Sequence, residues 1–323
     1  MKPVVYSSPF VPAEWITAHG LRPTRLVPRA RGPSRIGPLP GLCPFARAFI
    51  DEVLARDDAA GAVLATTCDQ MRRAADVLAQ RPDLPAFLMN VPSTWETVTA
   101  QRLYREELKR LGRFLHRIGG EAPSDQQLID TMLAFDGARA RVRSACERVP
   151  ARRLAEMAIV LDDNMGPREE VSSSRGGVRL ALVGGPLVSE DFVLYDAVEA
   201  AGGVIVLDAT EQGERTMPAP FDRRRINDDP LGELADAYFG AIPDVFRRPN
   251  AGFYAWLGRE LIERQVRGII FHRYNWCDTW DAEACRLKEW SPVPVLLLSS
   301  GEGHDGARAR LHGQVQAFLE VLA

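Results

Sequence analysis

Short runs of apolar residues alternate with polar turns and helical patterns over most of this sequence. The apolar run 268–271 is followed by a polar turn that carries Cys277 and Asp278, then by a helical pattern and a second apolar run at 293–298. This order predicts a strand, a helix and a second strand, with the cysteine where the first strand passes into the helix. Ligands of open α/β sheets bind at the carboxyl ends of the strands. The segment 267–301 is therefore the first candidate for a binding site.

The same arrangement occurs earlier in the chain, where Cys68 stands between an apolar run and a helical pattern. The spacing is also shared, because Pro85 stands 17 positions after Cys68 and Pro294 stands 17 positions after Cys277. A repeated strand–cysteine–helix–strand unit indicates two related halves, each of which presents a Cys-Asp turn.

A second pair of segments, 4–27 and 178–209, shares a strand, a loop with proline, a helix and another strand. We therefore predict an α/β fold of two Rossmann-like lobes, produced by an internal duplication, each with a doubly wound and mainly parallel sheet. The predicted divisions are a first lobe at 1–93, a helical insert or linker at 94–174 and a second lobe at 175–323.

The predicted insert has apolar residues at helical spacing and is rich in arginine. Pro123-Ser124-Asp125 predicts a break between two helices, with Ser124 or Asp125 as the N-cap. The arginines are expected to form a solvated or salt-bridged surface, with contact to a phosphorylated cofactor tail as the alternative.

Composition and charge narrow the class of protein. The chain has 323 residues, a formal net charge of −3 and five cysteines, so it offers no electrostatic case for a nucleic-acid partner or an anionic membrane. No apolar run approaches the roughly 20 residues of a membrane span, and the N-terminus lacks the apolar core of a signal peptide. We expect a cytoplasmic protein whose thiols are reduced.

Three cysteines, Cys43, Cys68 and Cys277, stand at polar turns beside apolar segments. If helices begin at these turns, their free N–H groups and positive dipole ends should lower the thiol pKa. Thiolate sets select zinc, copper(I) or iron–sulfur clusters, and structural zinc sites normally use closely spaced pairs, unlike these. The alternative is three buried free cysteines. Of the other two, Cys146 is expected to be structural or at the surface, and Cys285 to lie in the core.

Other residues could reach the same strand ends. Ser7 and Glu14 follow the first predicted strand and His304 follows the last; all three are candidates for a catalytic role, with turn and capping roles as the alternative. The segment 301–306, GEGHDG, matches the G-x-G-x-x-G pattern of dinucleotide-binding proteins, but no predicted strand follows it to carry the acidic residue that this motif requires. No P-loop motif is present.

Several segments together carry a family resemblance, and they run in order over nearly the whole length. They are SSPFVPAEWITAHGLRPTRL (7–26), GLCPF (41–45), ATTCDQMRR (65–73), LMNVPST (88–94), VRLALVGGPLVSED (178–191), AGGVIVLD (201–208), RGIIFHRYNWCD (267–278) and VQAFLEVL (315–322). On these segments the chain resembles a subunit of the 2-hydroxyacyl-CoA dehydratase family. That family includes 2-hydroxyglutaryl-CoA dehydratase D-components, subunits of ATP-dependent benzoyl-CoA reductases and double-cubane cluster proteins.

The resemblance implies a 4Fe-4S cluster, or a larger iron–sulfur cluster, held between two Rossmann-like lobes by Cys43, Cys68 and Cys277 with one iron left open. It also implies a second subunit, paralogous or identical, and a separate ATP-dependent iron–sulfur activator that supplies one low-potential electron. In such lyases the electron converts the thioester carbonyl of a 2-hydroxyacyl-CoA into a ketyl radical, which expels hydroxide from the 2-position.

Three alternatives remain open at this point. Within the same family, the chain could be a reductase subunit of the benzoyl-CoA reductase type or the double-cubane type. It could instead be a non-catalytic partner subunit that binds a cluster. The segment 301–306 leaves a nucleotide-binding oxidoreductase as the third alternative.

Overall fold

The computed structural model describes residues 1–30, 34–37, 40–146, 148–161, 176–300 and 307–322. These residues form two four-stranded, all-parallel sheets with flanking helices. This arrangement confirms the predicted α/β fold of two Rossmann-like lobes. Within the described residues, no helix combines the length and the apolar character needed to cross a bilayer.

The two sheets have the same strand order. The strands are β1 (Pro3–Tyr6), β2 (Arg22–Arg25), β3 (Gly61–Ala65), β4 (Ala86–Met89), β5 (Val178–Gly184), β6 (Gly203–Ala209), β7 (Gly268–Tyr274) and β8 (Val295–Ser300). The first sheet is ordered β2-β1-β3-β4 and the second β6-β5-β7-β8. This shared order is what an internal duplication produces. In each sheet the strand order switches sides, between β1 and β3 in the first and between β5 and β7 in the second, and such a switch point opens a crevice at the carboxyl ends of the strands.

Helices connect the strands and fill the segment between the lobes. They are α1 (Ala13–Ala18), α2 (Pro44–Leu54), α3 (Asp69–Leu78), α4 (Val98–Arg117), α5 (Asp125–Ala145), α6 (Ala151–Val160), α7 (Val193–Ala200), α8 (Arg225–Asp228), α9 (Pro230–Ala235), α10 (Ala251–Glu263), α11 (Asp278–Trp290) and α12 (Ala307–Leu322). Three of them, α4 to α6, lie in the predicted insert. The predicted break falls where expected, because Ser124 and Gln127 form a capping box at the start of α5.

The lobes and the insert share their apolar cores. One cluster of buried side chains joins β1 and β3 to α4 and α5, and also takes in the segment 221–246 from the second half. A second cluster packs α2 and α3 against Val188 and Tyr274, which also come from the second half. The boundary between the lobes is therefore a packed interior that can fix the strand ends of both sheets relative to one another.

The close approach of β5 and β7 gives a stability prediction. A side chain at Gly184 would overlap the backbone carbonyl oxygen of His272 on the neighbouring strand, whereas Gly137 in α5 has open space around it. Gly184→Ala should destabilise the protein by about 1–3 kcal/mol through overpacking. Gly137→Ala should be neutral or slightly stabilising, because alanine favours helix by about 1 kcal/mol. Urea unfolding measures both, and equal midpoints for the two variants would contradict this packing.

Candidate functional site

A cavity of about 260 Å³ lies where the carboxyl ends of the two sheets meet. The loops that follow β1, β3, β5, β6 and β7 all contribute to its wall. Cys43, Cys68 and Cys277 line this one cavity together. The structure thus brings three residues that are far apart in the sequence to the position where open α/β sheets bind ligands.

Each of the three cysteines is the N-cap of a helix. Cys43 precedes α2, Cys68 precedes α3 and Cys277 precedes α11. The Cys43 sulfur accepts a hydrogen bond from the backbone N–H of Ala46 at 3.4 Å. The first N–H groups of a helix have no backbone partner within the helix, so each of the three cysteines stands at the positive dipole end of a helix.

The loop that carries Cys43 is tied to the helix that follows Cys68. The Cys43 N–H donates to the Gln70 side chain at 2.8 Å, and the Gln70 amide donates to the Gly41 carbonyl at 3.2 Å. Arg73 donates to the same carbonyl at 2.7 Å. Gly41 has a φ of +72°, which glycine adopts without a steric penalty. These bonds hold Cys43 against the α3 side of the cavity.

The turn before Cys277 is also constrained. Trp276 has a φ of 68° and is 62% exposed. A left-handed backbone at a residue other than glycine costs about 1–3 kcal/mol. The Tyr274 hydroxyl donates to Asp191 and accepts from the Val188 N–H at 2.8 Å, which anchors the end of β7. The fold therefore maintains a strained turn directly beside a candidate ligand.

Burial dominates the acidity of the three thiols. It raises the pKa of Cys43 to about 11 and that of Cys68 to about 12, and it also raises the pKa of Cys277. Backbone N–H groups at the helix starts lower each pKa by less than burial raises it. The expectation of lowered thiol pKa values was wrong for this reason. A coordinating metal deprotonates a thiol outright, so a positively charged centre is the condition under which these groups become thiolates.

The described residues contain no group of three or more His, Cys, Asp or Glu side chains placed to hold one metal ion. Cys43, Cys68 and Cys277 line one cavity without forming such a group. Thiolates are soft donors, and both single zinc ions and iron–sulfur clusters use them.

The remaining predicted site residues are placed differently from one another. Ser7 is buried and lines the cavity. Glu14 is buried outside the cavity lining, where it pairs with Arg139 at 2.5 Å and accepts a hydrogen bond from the Tyr238 hydroxyl at 2.6 Å. Glu14 therefore has a structural role in a buried ion pair and does not reach the cavity. His304, with the whole segment 301–306, lies outside the described residues.

The other two cysteines are not at this site. Cys146 is half-buried and lines a separate cavity that also contains Arg143 and Arg264. Cys285 is exposed on α11, so its prediction as a core residue was wrong. The buried face of α11 is formed by Trp280, Glu283, Ala284 and Leu287, and Cys285 lies off that face.

Charged residues that the sequence analysis did not identify also line the cavity. Glu211 comes two residues after the end of β6, and Asp244 lies in the connection to β7. Burial, then the Asp244 carboxylate, raises the pKa of Glu211 to about 7 against the opposing charges of Arg215 and Arg25. Asp244 itself accepts from Arg215 at 2.6 Å. The position of Glu211 shortly after a strand could have identified it as a cavity residue. Asp244 and Arg215 lie in segments without helical or strand periodicity, so the sequence contains no signal for them.

Comparisons with solved structures and with curated proteins do not identify a related protein. Two structures of a Mn-bound periplasmic metal binding protein from Candidatus Liberibacter asiaticus match over 100% of both chains, one of them a serine-to-alanine mutant. Their sequence identities are 10% and 9% and their TM-scores 0.25 and 0.24, values too low to indicate a shared fold. No curated protein matches the sequence.

The family comparison covers nearly the whole chain. The model of the family described as 2-hydroxyglutaryl-CoA dehydratase, D-component, matches residues 9–322. That range contains all eight strands except β1, the three helices α4 to α6 and all three cavity cysteines. The chain therefore belongs to the 2-hydroxyglutaryl-CoA dehydratase D-component family.

Proposed function

We propose that this chain is the iron–sulfur subunit of a 2-hydroxyacyl-CoA dehydratase-type enzyme. In this proposal Cys43, Cys68 and Cys277 hold a 4Fe-4S cluster on three of its irons. The observation that carries the proposal is the convergence of these cysteines, each at the start of a helix, on one cavity between the lobes. Membership of a dehydratase component family supports the same reading.

The donor set and the space suit such a cluster. Thiolates are the ligands of iron–sulfur clusters, and each binds a different iron, so cluster ligands stand farther apart than the ligands of one ion. A cavity of about 260 Å³ compares with about 30 Å³ for one water molecule in the liquid, so there is room for an inorganic core. The helix starts add N–H groups of the kind that tune a cluster through hydrogen bonds to sulfur.

Once bound, the cluster would supply one low-potential electron and a Lewis-acidic open iron for the thioester carbonyl of the substrate. The residues of the chain have separate tasks. The backbone and helix starts fix three thiols, and Arg72 and Arg248 place positive charge on the cavity wall, where they can orient the polar end of an acyl-CoA. The reduced carbonyl is a ketyl radical, which expels hydroxide from the 2-position. Loss of a proton from the 3-position and return of the electron complete the formation of an enoyl-CoA.

The proposal includes partners that share this task. A second subunit, paralogous or identical, completes the enzyme, and a separate ATP-dependent iron–sulfur activator delivers the electron. The absence of a P-loop motif from the sequence fits the assignment of ATP hydrolysis to that separate protein.

Turnover under anaerobic conditions tests this function. The purified complex, given activator, ATP and a 2-hydroxyacyl-CoA, should release an enoyl-CoA lighter by one water, detected by mass spectrometry. Omission of activator or ATP should abolish the product, because no other low-potential electron is supplied. Addition of two hydrogens to an aromatic or unsaturated acyl-CoA, without water loss from any 2-hydroxyacyl-CoA, would identify a reductase and contradict the proposed reaction.

A further inference from the structure

Glu211 is fixed by its main chain at the wall of the cysteine cavity. It comes two residues after the end of the second-lobe strand β6 at Ala209, and it lines the cavity. Its N–H donates to the Gly185 carbonyl at 3.2 Å, and its own carbonyl accepts from the Thr216 hydroxyl at 2.9 Å and from Arg25. These three bonds reach three different segments, so the position of Glu211 follows from the fold.

The carboxyl group of Glu211 has no structural partner. Among the residues that the structure describes, no side chain or backbone group makes a hydrogen bond or ion pair to it. The neighbouring carboxyl groups differ in this respect. Asp244 accepts from Arg215 at 2.6 Å, and Glu214 accepts two hydrogen bonds from Arg264 at 2.6 and 2.8 Å. A half-buried carboxyl group without a partner is unfavourable for folding. Its presence here therefore favours a functional role for Glu211 in the cavity.

The electrostatic surroundings of Glu211 suit exchange of a proton near neutral pH. Burial and the Asp244 carboxylate raise the pKa of Glu211 to about 7, while Arg215 and Arg25 oppose this shift. A group with a pKa near the working pH is effective both as an acid and as a base.

Other titratable groups share the space with Glu211. The negative charge of Glu211 raises the pKa of each of the three cysteines, so the carboxyl group is within electrostatic reach of all three sulfurs. The groups that face it or line the same cavity are Arg25, Cys43, Cys68, Asp69, Arg72, Arg215, Asp244, Arg248, Tyr274, Cys277 and Asp278.

We propose that Glu211 is the proton-transfer residue of this cavity and serves both proton steps of the dehydration. This inference rests on the proposed function. The carboxylic acid of Glu211 gives its proton to the 2-hydroxyl group as the C–O bond breaks, so that hydroxide leaves with the bonding electrons as water. The resulting carboxylate then takes the proton from the 3-position, and the C–H electron pair stays on carbon to form the new double bond. Glu211 is protonated again, and the single added electron returns to the subunit.

Proton balance explains why one residue suffices. Dehydration removes one hydroxide and one proton from the substrate and forms one water molecule, so a residue that first gives and then takes a proton ends unchanged. The first step needs the acid form, which is present below a pKa of about 7. Turnover should therefore fall as the pH rises above this value.

Glu211→Gln tests the assignment, with Glu214→Gln as the matched control on the same loop. Glu214 lies outside the lining of the cysteine cavity. With the complete enzyme, Glu211→Gln should keep its iron and its reduction by the activator but lose about 10²–10⁴-fold in turnover. The remaining turnover should no longer fall above neutral pH. Glu211→Asp should recover part of the rate, and Glu214→Gln should behave as the unsubstituted enzyme does.

An infrared pH titration provides a readout that does not depend on turnover. A protonated-carboxyl band that titrates near neutral pH should be present in the unsubstituted chain and in Glu214→Gln, and absent from Glu211→Gln. Full turnover with an unchanged pH profile in Glu211→Gln would overturn the inference, and so would loss of iron, which would make Glu211 a ligand. Failure of the unsubstituted chain to bind iron would instead refute the proposed function, and the infrared band would still report on Glu211.

Discussion

Single replacement of Cys43, Cys68 or Cys277 by serine should reduce the iron content from about four per chain to nearly none. All three line the same cavity, and each caps a different helix. Serine offers a hard, protonated oxygen in place of a soft thiolate, and a cluster held on only two irons lacks the attachment that keeps it in the protein. Iron and sulfide analysis of anaerobically reconstituted protein measures the effect, and turnover should fall with the iron.

The other two cysteines provide matched controls for this prediction. Cys146 lines a different cavity and Cys285 is exposed on α11. Cys146→Ser and Cys285→Ser should therefore retain the iron and sulfide of the unsubstituted chain. If all five serine variants lost iron to the same extent, the three-cysteine assignment would be refuted.

Arg139→Ala should destabilise the protein by about 3–5 kcal/mol, because it leaves a buried carboxylate without its partner. Arg139 is 1% exposed and Glu14 is 0% exposed, and their side chains meet at 2.5 Å. The Tyr238 hydroxyl accepts from Arg139 at 2.7 Å and donates to Glu14 at 2.6 Å. This network joins α1 and α5 to the helical turn Asp236–Gly240, so its loss loosens the contact of the insert with both halves.

A double variant separates the lost charge pairing from lost packing. Arg139→Met combined with Glu14→Gln removes both charges at similar volume, and it should recover most of the stability lost in Arg139→Ala. Lys109→Ala, which removes an exposed ion pair with Glu106 on α4, should have little effect. Urea unfolding measures all three. If Arg139→Ala were as stable as the double variant, the unpaired Glu14 carboxylate would carry no extra cost, and the prediction would be contradicted.

The parts of the fold that followed from the sequence are those with a local signal. Apolar runs that end in polar turns predicted the strands and the three helix starts at Cys43, Cys68 and Cys277, because a strand buried by helices needs continuous apolar residues. The equal spacing after Cys68 and Cys277 predicted the duplication, and the two identical strand orders agree with it.

The parts that did not follow depend on contacts between distant segments. Glu14 was a candidate for the cleft, with a turn or capping role as the alternative, but its partner Arg139 comes from the insert, whose arginines were expected at the surface. Glu211, Asp244 and Arg215 meet through the irregular connection between β6 and β7, where no apolar period exists to place a side chain. The thiol pKa values also depend on tertiary structure. Burial raises the pKa of Cys43 and the N–H groups of the helix start lower it. The sequence indicates the helix start, but the extent of burial follows only from the folded cavity.

Quantification of iron and acid-labile sulfide in the unsubstituted chain, isolated and reconstituted without oxygen, tests the central claim most directly. The account predicts about four atoms of each per chain. It also predicts that a variant without Cys43, Cys68 and Cys277 binds neither. A chain that takes up no iron, or a triple variant that takes up as much as the unsubstituted chain, would contradict an iron–sulfur site in the cavity between the lobes.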